Sequence, residues 1–422
     1  MSNDYLSSLP EEVLEEISKF FHDASDLWRS EPHQSYRALA RTCKSLRAHF
    51  QRRVFSYLYL STETRIRTFA ELIQDNPILA SYIRTIRLEV DNRCRGHFQY
   101  PPLLAIMHAA SSSGIPPEIT LSVGTFSKFV DDWGVNIPSN TMTYIFNAPQ
   151  TILHAITELE IRRMEQAIPV SLFRLLPNLC ILFGSCLALS SDDHFAEDYS
   201  SQFFRPKLDV LMLYSSNPTT ITMLCEQILD LSAVKQLKVV MIELESNTLK
   251  PDSRNFLARR LLDRAPLVQK LYLDVGVMAR PFYDLSRLQC LRECTLDLVV
   301  AVGANPVPHL CQLLYTLPPF PENDLKYLHL SFGFIDTLLN EDDIAGSHVL
   351  FSISTWSNFD AAIANIVASG TRPFKLELTF YIHAQNILVK SLLNSLFVDW
   401  AEKHLPKSSR QPNLDIFILP SF

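Results

Sequence analysis

Between residues 184 and 194 the chain reads GSCLALSSDDH, which places serines, a cysteine, two aspartates and a histidine side by side. These are the parts of a nucleophilic triad, in which an imidazole takes the proton of an attacking hydroxyl or thiol and a carboxylate orients the ring. Such a set is defined by its geometry in space, and crowding along the chain does not create it. Asp192, Asp193 and His194 therefore read as a polar loop. The closest cysteines, Cys290 and Cys294 in CLREC, lack the spacing of a common zinc knuckle, and the 12 histidines are dispersed with no pair at metal-ligand helical spacing. G-x-S-x-G, H-E-x-x-H, the phosphate-binding loop and the dinucleotide fingerprint do not occur. With only 10 glycines, phosphate-cradling loops are not expected. The expectation is a non-catalytic protein with no catalytic residues, no metal site and no cofactor.

What remains is apolar pattern, and the elements it dictates. In SSLPEEVLEEISKFF, residues 7–21, Pro10 suits a first helical turn, where its missing N–H has no intrahelical partner. Glu11, Glu12, Glu15 and Glu16 favour the positive end of the helix dipole, and Ser7 or Ser8 can cap. Val13, Leu14, Ile17, Phe20 and Phe21 then form one apolar stripe. After the polar break HDASDLWRSEPH, the stripe resumes through Tyr36, Leu39, Ala40, Cys43, Leu46 and Phe50, punctuated by Arg37, Arg41, Lys44, Arg47, Arg52 and Arg53. These basic residues read as a solvated helix face, or a contact with the first repeat, before a nucleic-acid patch. A piece this small rarely closes its own core, so its apolar faces must meet something else.

LPEEVLEEI followed by ARTCKSL resembles an F-box, with Leu46 where the pattern usually has Trp and a longer segment, roughly residues 22–35, between the two parts. The resemblance implies docking to the Skp adaptor of a cullin–RING ubiquitin ligase. Carried over by position, the adaptor-facing residues are Leu9, Pro10, Val13, Leu14, Ile17, Leu39, Cys43 and Leu46. The competing reading is a helix pair that caps the rest of the chain.

Residues 59–422 alternate strand-like and helix-like pieces. The strands share the form L-x-x-L-x-L: IRTIRL from Ile83, ITELEI from Ile156, LDVLML from Leu208, VKQLKV from Val234, VQKLYL from Val268 and LKYLHL from Leu325. Weaker members are EITLSV, LCILFG, ECTLDL, FKLELT and LDIFIL. Each strand-plus-helix unit leaves an apolar side open, and stacking covers it. The pattern resembles the leucine-rich repeat, though the Asn expected three residues after the last Leu is replaced by Ser216, Gly276 or Gly333. The expected fold is α/β: a small N-terminal helical F-box over residues 1–58, then an irregular leucine-rich-repeat-like solenoid over 59–422, with parallel strands on the concave side and helices on the convex side. Insertions are expected around 90–118, 125–150 and 335–358. An ordinary α/β domain with a few parallel strands is the alternative.

Strand alternation turns the non-leucine residues outward. The outward set is Val210, Met212 and Tyr214; Gln236, Lys238 and Val240; Lys270, Tyr272 and Asp274; Thr295, Asp297 and Val299; and Tyr327, His329 and Ser331. Earlier strands turn out the charged Arg87, Glu89, Glu158, Glu160 and Arg162. Aromatic residues on a rigid surface are frequent hot spots, so Met212, Tyr214, Lys238, Tyr272, Asp274, Tyr327 and His329 are the candidate partner-binding residues. The arrangement resembles divergent fungal F-box proteins with leucine-rich repeats, and implies a substrate receptor whose partners are the Skp adaptor, a cullin scaffold and an unidentified protein target. A non-catalytic leucine-rich scaffold is the runner-up.

Bulk properties agree. The 422 residues are 47% apolar, ample for a core, and the net charge of −7 does not suit a dedicated nucleic-acid binder. The start lacks the basic and apolar regions of a secretory signal, and no apolar run reaches bilayer-spanning length, so no membrane partner is expected. Eight scattered cysteines suit reduced thiols in the cytoplasm or nucleus.

Overall fold

The structure is a computed structural model. It describes residues 10, 13, 41, 44–90, 100–112, 114–124, 145, 147–162, 167–190, 206–216, 218–224, 236–244, 260–277, 285–300, 305, 307–317, 324–334, 353–368, 373–381, 397 and 399–421. The protein is mixed α/β, its main strands are parallel, and it divides into two compact units, Met1–Glu160 and Ile161–Phe422.

In the first unit, α1 (Lys44–Ser56) leads into β1 (Tyr57–Leu60), α2 (Glu63–Asp75) and a 3-10 turn at Pro77–Tyr82. There follow β2 (Thr85–Val90), α3 (Tyr100–Ser111), β3 (Glu118–Gly124), α4 (Gln150–Ala155) and β4 (Ile156–Arg162), whose last two residues pass the unit boundary. The start of α2 is set by Thr62, whose side chain accepts the Arg65 N–H at 3.2 Å. Ile66, Ala70 and Ile73 form its buried face, and Asn76-Pro77 ends it. β1, β2 and β3 pair in parallel, with Leu58 beside Ile86 and Ile86 beside Ile119. The 58/59 boundary expected from sequence falls within β1. Within the 90–118 insertion, residues 100–111 are helical, because Leu103, Ile106, Met107 and Ala110 recur at three and four and are all buried.

The second unit contains β5 (Ile168–Pro169), α5 (Ser171–Arg174), β6 (Ile181–Ser185), β7 (Leu189–Ser190), β8 (Val210–Ser216), α6 (Pro218–Met223), β9 (Val239–Leu244) and β10 (Lys270–Val277). It continues with β11 (Glu293–Val300), α7 (Val307–Tyr315), β12 (Tyr327–Phe334), α8 (Ile353–Ala368), β13 (Phe374–Tyr381), α9 (Trp400–His404), a 3-10 turn at Ser408–Arg410 and β14 (Leu414–Ser421). Strands β6, β8, β9, β10, β11, β12, β13 and β14 are neighbours in that order, so the ladder grows in chain order, while β5 and β7 form a separate pair. The L-x-x-L-x-L residues are its core: Leu208, Leu211 and Leu213 are buried, as are Val268, Leu271 and Leu273, and Leu325, Leu328 and Leu330. Each such side chain contributes about 1.5–3 kcal/mol of burial.

One frame differs from the sequence reading. VKQLKV from Val234 is out of register by three residues; the working frame is Leu237, Val240 and Ile242, all buried. Val240, expected outward, faces the core, because Val239 and Val240 pair with Val210 and Leu211 of β8. The insertion expected over 335–358 is helical from Ile353, with Trp356 buried against Phe332, Phe359 and Trp400 at ring separations of 5.8, 5.3 and 5.0 Å. No described helix is long and apolar enough to cross a membrane.

Candidate functional site

The side chains that alternate with the buried leucines of β8–β14 share one pleat face of the second unit, and parallel register lines them up in rows. A first row carries Lys270, Glu293, Tyr327 and Lys375 on successive strands. A second carries Met212, Met241, Tyr272, Thr295, His329 and Glu377. In a third, Asp274 stands beside Asp297, Asp297 beside Ser331, and Ser331 beside Thr379. Of the candidate residues, Met212, Tyr214, Tyr272, Asp274, Tyr327 and His329 lie on this face and are neither fully buried nor fully exposed. Lys238 lies just before β9 and forms an exposed ion pair with Asp209 at 3.2 Å.

The tyrosines are fixed by bonds that cross strands. Tyr272 donates to Asp297 Oδ2 at 2.6 Å, Tyr327 to Glu377 Oε2 at 3.1 Å, and Tyr214 to Met241 Sδ at 2.6 Å. The Tyr214 ring packs on Phe183 at 5.2 Å, over which the Arg162 guanidinium sits at 5.4 Å. Lys375 lies over the rings of Tyr327 and Phe417, at 5.1 and 4.6 Å, and bonds Glu377 at 2.9 Å. His329 Nε2 is 2.9 Å from Thr379 Oγ1 and 3.8 Å from Glu377 Oε1.

This setting holds the phenols protonated. Burial, then Glu377, pushes Tyr327 up to about 12, and burial followed by the Asp297 bond and charge raises Tyr272 further. Desolvation lowers His329 below its ordinary value despite Glu377 and Asp297. The tyrosines are thus neutral, oriented and partly exposed. Such a face offers aromatic contact area with little conformational entropy to lose on binding. Lys375, Glu377, Met241 and Phe417 were not singled out from sequence. Alternation along FKLELT and LDIFIL signals Lys375, Glu377 and Phe417, whereas Met241 lies in an apolar run, 239–242, that shows no alternation.

In the first unit, charged residues expected to face outward are instead held in cross-strand polar contacts. Arg87 pairs with Glu160, which also accepts from Ser122 Oγ at 2.8 Å, and Thr120 donates to Glu158 at 3.0 Å. Glu160 and Glu89 are buried at 4% and 9% exposure. This is a cross-strand polar core.

Of the adaptor-facing set, Pro10 and Val13 are described and both are exposed, with the Val13 N–H bonded to Pro10 O at 3.1 Å. Leu46 lies within α1. Leu9, Leu14, Ile17, Leu39 and Cys43 lie outside the described residues, as do Asp192, Asp193 and His194. Cys186 is exposed, whereas Cys294 is buried and its thiol is pushed up to about 12 by desolvation, which makes it a poor nucleophile. Among the described residues no group of three or more His, Cys, Asp or Glu is placed to hold a metal ion.

The fold and face together define a mixed α/β protein whose second unit is a parallel ladder with a decorated outward side. No protein-family model matches the chain, and no curated protein matches it in sequence.

Proposed function

We propose that this chain is a non-catalytic substrate receptor of a Skp–cullin–F-box ubiquitin ligase. In this reading its N-terminal helices bind the Skp adaptor and the outward face of its leucine-rich solenoid binds a target protein. The observation that supports target binding best is the set of tyrosines locked by cross-strand hydrogen bonds, Tyr214 to Met241, Tyr272 to Asp297 and Tyr327 to Glu377. Adaptor binding is supported by LPEEVLEEI and ARTCKSL, and by the exposure of Val13 at 40%. The contribution to the reaction is proximity: the receptor holds a target near a ubiquitin-charged conjugating enzyme and raises its effective concentration.

One observation favours a second reading, a scaffold whose N-terminal helices only cap the repeats. Phe50 of α1 is buried at 1% exposure, and α1 packs on the Pro77–Tyr82 turn, with Arg52 over the Tyr82 ring at 5.7 Å. Co-expression with the Skp adaptor and pull-down separates the two, using wild type and a Leu9→Ala/Pro10→Ala/Ile17→Ala variant. Retention by wild type and loss by a folded variant supports the receptor. Failure of wild type to retain the adaptor leaves the scaffold.

A further inference from the structure

We infer that the free side of β14 is a self-association edge, which pairs antiparallel with β14 of a second copy of the chain about a two-fold axis at Ile416. The inference does not depend on adaptor or target binding.

β14 ends the ladder, and β13 is its one neighbour among the described strands. The Phe374 N–H bonds Asn413 O at 2.8 Å, which turns the odd-numbered residues of β14 toward β13. Backbone groups alternate sides along a strand, so those of Leu414, Ile416 and Ile418 point to the free side. The Leu414 N–H is taken by Gln411 O at 3.3 Å. The Ile416 and Ile418 N–H groups and the Leu414 and Ile416 carbonyls face no strand among the described residues.

The end of the ladder is also incompletely covered. Leu376 and Leu378 of β13 are fully buried, but their register partners on β14, Ile416 and Ile418, are only half-buried. On the outward side Phe417 and Leu419 are 44% and 45% exposed. Terminal repeats ordinarily present a polar outer side, and sheet edges are ordinarily short or charged. β14 has eight residues and one charge, Asp415.

Self-complementarity identifies the occupant. With Ile416 on the axis, its N–H and C=O exchange bonds with Ile416 of the second copy, and each Ile418 N–H reaches the Leu414 carbonyl of the other copy. Pro412 and Pro420 lie four residues either side of Ile416, so they stand opposite one another and the ends of the pair hold no unmatched donor. Inward, Leu414 meets Ile418 and Ile416 meets its mate. Outward, the exposed Asp415 falls opposite Phe417 of the second copy, with Cβ atoms about 5 Å apart. Lys375 holds its ammonium over the Phe417 ring at 4.6 Å. Each copy therefore brings a carboxylate to the ammonium of the other. An axis at Phe417 would bring the two Lys375 ammoniums together and set Asp415 against Leu419. An axis at Ile418 would set Pro420 against Ile416 and leave that carbonyl unmatched. Charge and proline positions both select Ile416. One strand pair covers less than the about 1,600 Å² of a standard interface, so the dimer is expected to dissociate in the micromolar range.

The test is sedimentation velocity of the full chain from about 1 to about 100 μM. A reversible monomer–dimer equilibrium is expected. Asp415→Lys sets a cation against Lys375 of the other copy and should weaken the dimer by about tenfold or more. Ile418→Pro removes a donor that faces away from β13, spares the ladder bonds and should abolish the dimer. Glu402→Lys makes the same charge change at an exposed site on α9 and should leave it unchanged. Thermal melts verify folding of each variant. A monomer at every concentration overturns the inference and leaves the edge to an extended segment of a different protein. A dimer that Ile418→Pro leaves intact, or that Asp415→Lys weakens no more than Glu402→Lys does, also overturns it.

Discussion

Tyr272 on β10 donates its hydroxyl hydrogen to Asp297 on β11 at 2.6 Å, joining two strands whose core leucines already meet on the other side of the sheet. The bond ties an outward ring to an outward carboxylate and fixes both. Tyr272→Phe keeps the ring and loses the bond. It is expected to cost about 1–2 kcal/mol by chemical denaturation, within the range for a hydrogen bond to a charged acceptor that is partly open to water. If the outward face binds a target as proposed, Tyr214→Ala/Tyr272→Ala abolishes target capture while circular dichroism stays as in wild type. Loss of the fold instead would show that the cross-strand bonds of these rings hold the ladder together.

Glu158 gives a pH-dependent expectation. Burial raises its carboxyl above the ordinary carboxylate value, outweighing the Thr120 bond and the Arg87 charge, while Glu160 raises it further. A carboxyl raised on folding binds its proton more tightly in the folded state. Stability is therefore favoured below the ordinary carboxylate range and falls as pH rises through the raised value. Glu158→Gln removes that loss and keeps an acceptor for Thr120. The variant is expected to melt higher than wild type at neutral pH, with the advantage fading in melts at acidic pH below the carboxylate range.

Much of the ladder is legible along the chain because its leucines repeat at fixed offsets. Ile83, Ile86 and Leu88 are buried as L-x-x-L-x-L requires, and so are Ile156, Leu159 and Ile161. The reading fails where the pattern is degenerate: Val234, Leu237 and Val239 fit the template as well as Leu237, Val240 and Ile242. An unbroken apolar run at 239–242 conceals the alternation, and only pairing with β8 selects the frame. The cross-strand bonds were not legible at all. Tyr272 and Asp297 are 25 residues apart, and Tyr327 and Glu377 are 50 apart. Their meeting depends on interstrand register, which the intervening segments set and local spacing does not encode. Glu160 likewise reads as an outward charge until Arg87 and Ser122 are brought against it.

Two strand glycines with similar sequence surroundings should respond differently to alanine. Gly184 takes the third leucine position after Leu179 and Leu182, and a Cβ there would lie 2.9 Å from Leu187 Cδ2, 3.1 Å from Leu187 Cβ and 3.1 Å from Leu213 Cδ2. Gly333 sits where the leucine-rich pattern has Asn, and its Cβ would meet only Leu298 O at 3.8 Å. Gly184→Ala is expected to destabilise by about 1–3 kcal/mol through overpacking. Gly333→Ala is expected to be neutral or to stabilise by about 0.4–1 kcal/mol through the unfolded chain. Denaturant midpoints of the two variants against wild type decide it.

Asp360 on α8 is buried at 2% exposure, yet its two carboxylate oxygens accept backbone N–H groups of the turn before β14, from Lys407 at 2.9 Å and Ser408 at 2.8 Å. Ser408 Oγ donates in turn to Asp360 O at 3.1 Å. The charge is tolerated because both oxygens receive donors, and it holds the 3-10 turn that delivers β14 to β13. Asp360→Ala leaves two backbone donors unmatched, the Ser408 N–H in a fully buried setting, and is expected to cost about 3 kcal/mol or more. Asp360→Asn keeps one acceptor and turns an amide N–H₂ toward the other donor, so it should fall between alanine and wild type. Hydrogen exchange locates the effect. The Lys407 and Ser408 amides should lose protection in both variants before the amides of β10 and β11 do, whereas uniform loss across the second unit would show that the turn and the ladder unfold as one.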